Sequence, residues 1–206
     1  MATSENLQEQ ARNSIKASIA AKERILGSPE LMSTIVAAAE AVIEAFEKGN
    51  KVLLFGNGGS AADAQHIAAE FVGRFAFDRP ALPALALSVN TSCVTAIGND
   101  YGFDQVFSRQ IEALARRGDV AIGISTSGNS PNVLCGVAAA RKLGLRTIGL
   151  TGQKGGRLKN EVEYGIAAPS DETPRIQECH ILVGHIIAQL AEQAIFHGQQ
   201  SCVSRS

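Results

Sequence analysis

The residues of this chain whose types and spacing can do chemistry fall in two glycine- and hydroxyl-rich stretches and in a small set of nitrogen and oxygen donors. The first stretch is Phe55-Gly56-Asn57-Gly58-Gly59-Ser60-Ala61-Ala62-Asp63. Its three glycines let the chain turn tightly and bring its backbone close to a ligand. The free N–H groups of a helix start suit an anion or sugar hydroxyls. Ser60, with Asp63 three residues on, is expected to form a variant of the capping box. The second stretch is Ser125-Thr126-Ser127-Gly128-Asn129-Ser130-Pro131. The hydroxyls of Ser125, Thr126, Ser127 and Ser130, with exposed N–H groups and the helix dipole, can surround a phosphate without Lys or Arg.

Gly56-x-Gly58-x-x-Ala61 also fits a dinucleotide fingerprint. That chemistry requires an Asp or Glu about 20 residues on, near the end of the next strand, to hold a ribose. The next apolar run, Ala84 to Leu87, is closed by Ser88, Val89 and Asn90, and Asp78 falls before it. Dinucleotide binding is therefore set aside.

His66 and Glu70 stand at i and i+4 of a helical pattern and share a face. Such a pair can bind a metal or divide acid and base roles. A late helical segment adds Gln177, His180 and His185. At about 100° per residue, its apolar stripe runs through Ile176, Cys179, Val183, Ile186, Ile187, Leu190 and Ala194. Gln177 and His185 lie off that stripe on a common side, whereas His180 borders it, which makes His180 the packed histidine and His185 the functional one. If the two helices meet, His66, Glu70, Gln177 and His185 form a nitrogen–oxygen set for Zn²⁺ or another first-row metal.

These residues need elements to position them. Continuous apolar runs at 52–55, 84–87, 120–124, 147–150 and 164–167 predict parallel strands covered on both faces. Helical patterns lie between them at 61–72, 103–116 and 133–143, and a long one spans 174–196. Two more precede the first strand, at 11–25 and 30–47, the second started by Ser28 as N-cap with Pro29 at the first position. Alternation of this kind gives a three-layer α/β sandwich with a central parallel sheet. One domain is expected over 1–198, followed by a polar, frayed tail at 199–206, with His197 solvated.

Composition narrows the function. A net charge of −1, from 19 Lys+Arg against 20 Asp+Glu, leaves no basic excess to replace the ions around a nucleic acid. The apolar fraction of 45% excludes wholesale disorder. The chain has no run of about 18 apolar residues, so no membrane partner is expected. Its first ten residues, with Glu5 and Glu9, are unlike a secretory signal. Four cysteines without a CxxC pair favour reduced thiols in the cytoplasm. Only 19% of residues are charged, against roughly 25% in an average domain, and burial of surface in a homo-oligomer accounts for the deficit.

Taken together, Gly56 to His66, Glu70, Asn99-Asp100, Ser125 to Ser130 and Arg175-Ile176-Gln177-Glu178 with His180 and His185 resemble the sugar isomerase (SIS) domain family, over nearly the whole chain. The resemblance implies a flavodoxin-like fold and an aldose–ketose isomerase. That enzyme carries sedoheptulose 7-phosphate to a seven-carbon aldose phosphate through an enediol, at the head of activated-heptose synthesis. It implies that Asn57, Gly58 and Gly59 contact the sugar and that Ser125, Thr126, Ser127 and Ser130 hold the phosphate. Asn99 and Asp100 line the site, and Ser60 and Gln177 complete the substrate-binding set. Glu70 and His185 become the acid/base pair, and His66, Glu70, Gln177 and His185 the ligands of one Zn²⁺ per subunit. A homotetramer with active sites between subunits is implied as well. A non-catalytic relative that regulates replication initiation shares the asparagine–glycine loop but lacks acid/base groups at the positions of Glu70 and His185. Their joint presence here favours the enzyme over that regulator or a phosphosugar sensor.

Overall fold

In the computed structural model, which describes residues 4–196, five parallel strands form one sheet with helices on both faces. His197 and the 199–206 tail lie outside the described residues. Helices α1 (Ser4–Leu26) and α2 (Pro29–Glu47) come first. Ser28 caps α2 by accepting a hydrogen bond from the Leu31 N–H at 3.3 Å, as its position before Pro29 predicts. The strands are β1 (Val52–Gly56), β2 (Ala84–Ala86), β3 (Val120–Ser125), β4 (Arg146–Thr151) and β5 (Tyr164–Ala167). Every residue of β1 and β3 is buried, which is why their sequences are continuously apolar. Between and after the strands run α3 (Gly59–Val72), α4 (Thr91–Tyr101), α5 (Ser108–Leu114), α6 (Pro131–Lys142), α7 (Leu158–Glu161) and α8 (Thr173–Phe196).

The strand order is β2-β1-β3-β4-β5. It reverses between β1 and β3, and in open α/β sheets ligands bind outside the carboxyl ends of the strands at such a switch point. The glycine stretch leaves β1 and the serine stretch leaves β3, so both open onto that crevice. One core lies between the sheet and α2, α3 and α8, with Val42, Leu54, Ile67, Phe71 and Ile187 among its members. The other holds Leu53, Phe55, Phe107, Ile111 and Val137 under α5 and α6. The three-layer sandwich is as the sequence predicts.

Three local readings change. Helix α1 starts at Ser4 rather than at residue 11, extended by helix formers and by a Gln10-to-Asn6 side-chain hydrogen bond of 2.8 Å. Helix α4 was not expected at all: Val94, Thr95 and Gly98 are weak helix formers, and the helix rests on an Asn90 cap bonded to the Cys93 N–H at 3.0 Å. The expected helix at 103–116 is a 3₁₀ turn at Phe103–Gln105 followed by the short α5. The Ser108 hydroxyl reaches the Gln105 carbonyl at 3.2 Å and its side-chain oxygen at 2.8 Å, a local alternative to continued helix.

Helix α8 is long and apolar enough to cross a membrane, yet half of that span is buried inside the fold. It runs beside α3 in the same direction, with Gln177 against Gly59 and Gly184 against Ile67. A Cβ at Gly184 would collide with the Ile67 side chain, so this glycine sets how near the helices come. His180 pins α8 to the sheet: it is 1% exposed, and its Nε2–H donates to the Thr151 carbonyl at 3.0 Å. Burial lowers its pKa to about 4, the bond to Thr151 opposing the shift.

Two outcomes follow from this packing. Gly184→Val drives two methyl groups into Ile67, and overpacking of this kind costs about 1–3 kcal/mol, more than the fraction of a kcal/mol regained in helix propensity. Urea unfolding is expected to show that loss, and an unchanged midpoint would mean that Gly184 does not set the contact. For His180, the unfolded chain takes up a proton near pH 6.5 and the folded one only near pH 4. The contribution of a neutral buried imidazole is therefore complete above pH 6.5 and is lost as the pH falls toward 4. The stability difference between wild type and His180→Gln should shrink by about 3 kcal/mol over that window; a pH-independent difference contradicts it.

Candidate active site

The glycine loop enters α3 through Gly58, whose φ of +55° is left-handed, so a side chain there is strained. Helix α3 begins at Gly59, and Gly58 is its N-cap. The expected Ser60–Asp63 capping box is not formed, because the helix starts early enough to place Ser60, 3% exposed, inside its first turn. Asp63 keeps a buried Oδ2 without a partner. Burial pushes its carboxyl up to about 6, against the pull of nearby His66.

Further along the seam between α3 and α8, the expected donors meet. His66 Nε2 lies 2.9 Å from His185 Nε2 and 3.2 Å from Glu70 Oε1. The ligating atoms of the three residues all lie within 4.8 Å of one another. Four bonds of 2.0–2.1 Å in a tetrahedron around zinc put neighbouring donors about 3.3 Å apart, so this spacing fits a metal. The donor types, two imidazoles and a carboxylate, fit zinc as well. Gln177 lies on the same seam with its amide packed on Gly59, where a Cβ would displace it. Of the four donors expected from helical spacing, the structure brings together His66, Glu70 and His185, while the Gln177 amide lies at Gly59, about two turns of α3 before His66; His180 is buried in the packing.

At the end of β3, the Ser125 hydroxyl lies 2.9 Å from that of Ser130 and 3.4 Å from that of Ser127. The Ser127 hydroxyl accepts from the Asn129 N–H at 3.1 Å. Gly128, at φ +67°, lets this loop press on Gly155 of the loop after β4. The serine loop thus gathers the hydroxyls of Ser125, Ser127 and Ser130 at the start of α6, a group suited to an anion. It borders a polar cavity of about 340 Å³ lined by Thr126, Ser127, Asn129, Lys154, Ser170 and Asp171 among others.

Two residues of this region escaped the sequence reading. Asn132, 2% exposed, exchanges a reciprocal pair of side-chain hydrogen bonds with Asn57, 2.9 and 2.8 Å, and so ties the glycine loop to the start of α6. Lys154 lines the same cavity as Thr126 and Ser127. Its signal was Gly152-Gln153-Lys154-Gly155-Gly156, a third glycine-rich stretch at a strand end. Asn99 and Asp100 are not brought to either loop by a hydrogen bond. They sit exposed in the last turn of α4, where Asn99 Nδ2 donates to Asp100 Oδ1 at 2.8 Å.

The SIS domain family matches residues 8–152. Over 188 residues, the chain is 54% identical to the phosphoheptose isomerase of Aneurinibacillus thermoaerophilus, an alignment that covers 91% of this chain and 95% of that one. It is 53% identical to the phosphoheptose isomerase of Clostridium acetobutylicum over 182 residues, covering 88% and 93%. The solved structure of the Neisseria gonorrhoeae phosphoheptose isomerase matches with a TM-score of 0.84 at 44% identity, covering 91% of this chain and 99% of that one. The chain therefore belongs to the SIS domain family.

Proposed function

We infer that the chain is a phosphoheptose isomerase, an aldose–ketose isomerase that interconverts sedoheptulose 7-phosphate and D-glycero-D-manno-heptose 7-phosphate. One observation carries the reading: Glu70, His66 and His185 meet on the α3–α8 seam, in a chain more than half identical to enzymes of that name. We place the phosphate in the serine loop on Ser125, Thr126, Ser127 and Ser130, with the sugar hydroxyls on Asn57, Gly58, Gly59, Ser60 and Gln177. Anchoring the far end of the substrate leaves C1 and C2 at Glu70 and His185. One of these two residues takes the proton from the carbon beside the carbonyl, leaving an enediol, and returns it to the neighbouring carbon. The other moves the proton between the two oxygens.

His66, Glu70 and His185 would hold one zinc ion per subunit, and Gln177, whose amide lies against Gly59 here, is the proposed fourth ligand. When bound, that ion supplies stabilisation of negative charge on the substrate oxygens. A homotetramer is supported by apolar surface that one copy leaves open. A groove of about 580 Å³, away from the donors, is lined by Leu85, Val89, Cys93, Ile97, Tyr101 and Leu114 among others, and no residue of α4 is buried. In such an assembly, Asn99 and Asp100 serve a site shared with a neighbouring subunit. The three described cysteines are free, which supports the cytoplasm, and we propose that the product feeds activated-heptose and lipopolysaccharide synthesis.

Glu70→Gln should lower turnover of sedoheptulose 7-phosphate by about 10²–10⁴-fold with an unchanged circular dichroism spectrum; near-normal turnover removes Glu70 from the chemistry. Ser125→Ala should raise KM about tenfold or more, the effect of one hydrogen bond to a charged group, and an unchanged KM would take the serine loop out of the phosphate site. Protein purified without chelator should contain about one zinc per subunit, and His66→Ala should lose it. Full activity in metal-free protein would refute the ligand set.

A further inference from the structure

At the carboxyl end of α3, the protein buries an ion pair that the chemistry above does not use. The side chains of Arg79 and Glu192 are each 1% exposed, with Nε and Oε1 2.9 Å apart. Such a pair is weak evidence of a stabilising role, because desolvating two charges offsets most of their attraction. Its hydrogen bonds point elsewhere. The Arg79 guanidinium donates to the backbone carbonyls of Glu70 and Phe71, both at 2.7 Å, and to those of Gly73 and Pro80 at 3.1 and 3.0 Å. The Glu70 and Phe71 carbonyls belong to the last turn of α3, where carbonyls lack partners within the helix. That turn carries no basic residue of its own. Arg79 supplies one from the following loop, with its charge at the negative end of the helix dipole.

Glu192 completes the arrangement from α8, about two turns beyond His185. Its Oε1 accepts from the Phe75 N–H at 2.9 Å and its Oε2 from the Ala76 N–H at 2.7 Å. These bonds hold the loop after α3 against α8, and the Phe75 ring comes to rest with its centre 5.7 Å from that of the His185 imidazole. Residues on both helices of the seam are therefore fixed by one buried pair, Glu70 through its own carbonyl and His185 through the ring beside it.

We propose that Arg79, Glu192 and Phe75 form a positioning clamp that sets the spacing of Glu70 and His185 across the seam. The proposal rests on the isomerase reading above. The three residues act through Glu70 and His185, not on substrate. The planar guanidinium, with donors on two sides, can serve the helix end and the carboxylate at once. A lysine ammonium at the end of a single stem keeps the charge but not that fork. A displacement of about 1 Å at reacting groups costs on the order of a hundredfold in rate, whereas the serine loop, on the other side of the crevice, is untouched.

The test is steady-state kinetics with sedoheptulose 7-phosphate on Arg79→Lys, Phe75→Leu and Phe75→Tyr, scaled to the folded fraction from thermal melts followed by circular dichroism. For Arg79→Lys and Phe75→Leu, kcat per folded molecule is expected to fall about ten- to hundredfold with KM little changed, and Phe75→Tyr, which keeps the ring, should retain wild-type kcat. A lower Tm with wild-type kcat and KM per folded molecule is the result of a merely structural pair and overturns the proposal. Should Arg79→Lys fail to fold, the Phe75 variants decide, and equal kcat in both overturns it. A wild type that does not isomerise the sugar refutes the isomerase reading instead. The imidazole NMR signals of His66 and His185 then decide the clamp: they shift in Arg79→Lys if it positions them and stay in place if it does not.

Discussion

At Gly184, helix α8 carries no side chain where Ile67 of α3 crosses it, and at Gly59, α3 carries none where the Gln177 amide of α8 rests. Two glycines, one on each helix, thus let two parallel helices approach along a seam that ordinary side chains would hold open. The consequences run outward from there. His66 and His185 reach each other at 2.9 Å only because the backbones between them are close, and Glu70 joins them one turn on. His180 and Ile187 turn the opposite side of α8 into the core, so the helix cannot rotate to present another set of residues.

The crevice at the switch point then divides the work between chemically different walls. The β3 side offers hydroxyls and the start of α6, with Lys154 nearby, and suits an anion that is held and not changed. The α3–α8 side offers imidazoles and a carboxylate, groups that can move protons. The Asn57–Asn132 amide pair bridges the two sides at the start of both helices. A phosphate site built chiefly of hydroxyls and helix N–H groups, as proposed for the serine loop, needs no excess of basic residues, in keeping with the net charge of −1.

What could be read from sequence was whatever depends on neighbours along the chain. Continuous apolar runs mark buried strands, and a four-residue spacing puts His66 and Glu70 on one face. The apolar stripe of α8 separates His185 from His180. Helix α4 was hidden because its stability comes from an Asn90 cap and not from its β-branched and glycine interior. The Arg79–Glu192 pair was hidden for a different reason. Its members are 113 positions apart, and no spacing along the chain links Arg79 to Glu192 before the tertiary fold brings α8 beside the loop after α3. The early start of α3 at Gly59, which undoes the Ser60–Asp63 cap, puts that glycine where the Gln177 amide of α8 packs, a contact between residues far apart in the chain.

We place both ends of the sugar phosphate in one crevice, the phosphate at the serine loop and the reacting carbons at the seam. A crystal structure of the protein with sedoheptulose 7-phosphate tests this placement most directly. Phosphate oxygens are expected within hydrogen-bond distance of the Ser125 and Ser127 hydroxyls, and C1 and C2 between Glu70 and His185. A phosphate bound elsewhere, or reacting carbons out of reach of both Glu70 and His185, would contradict it.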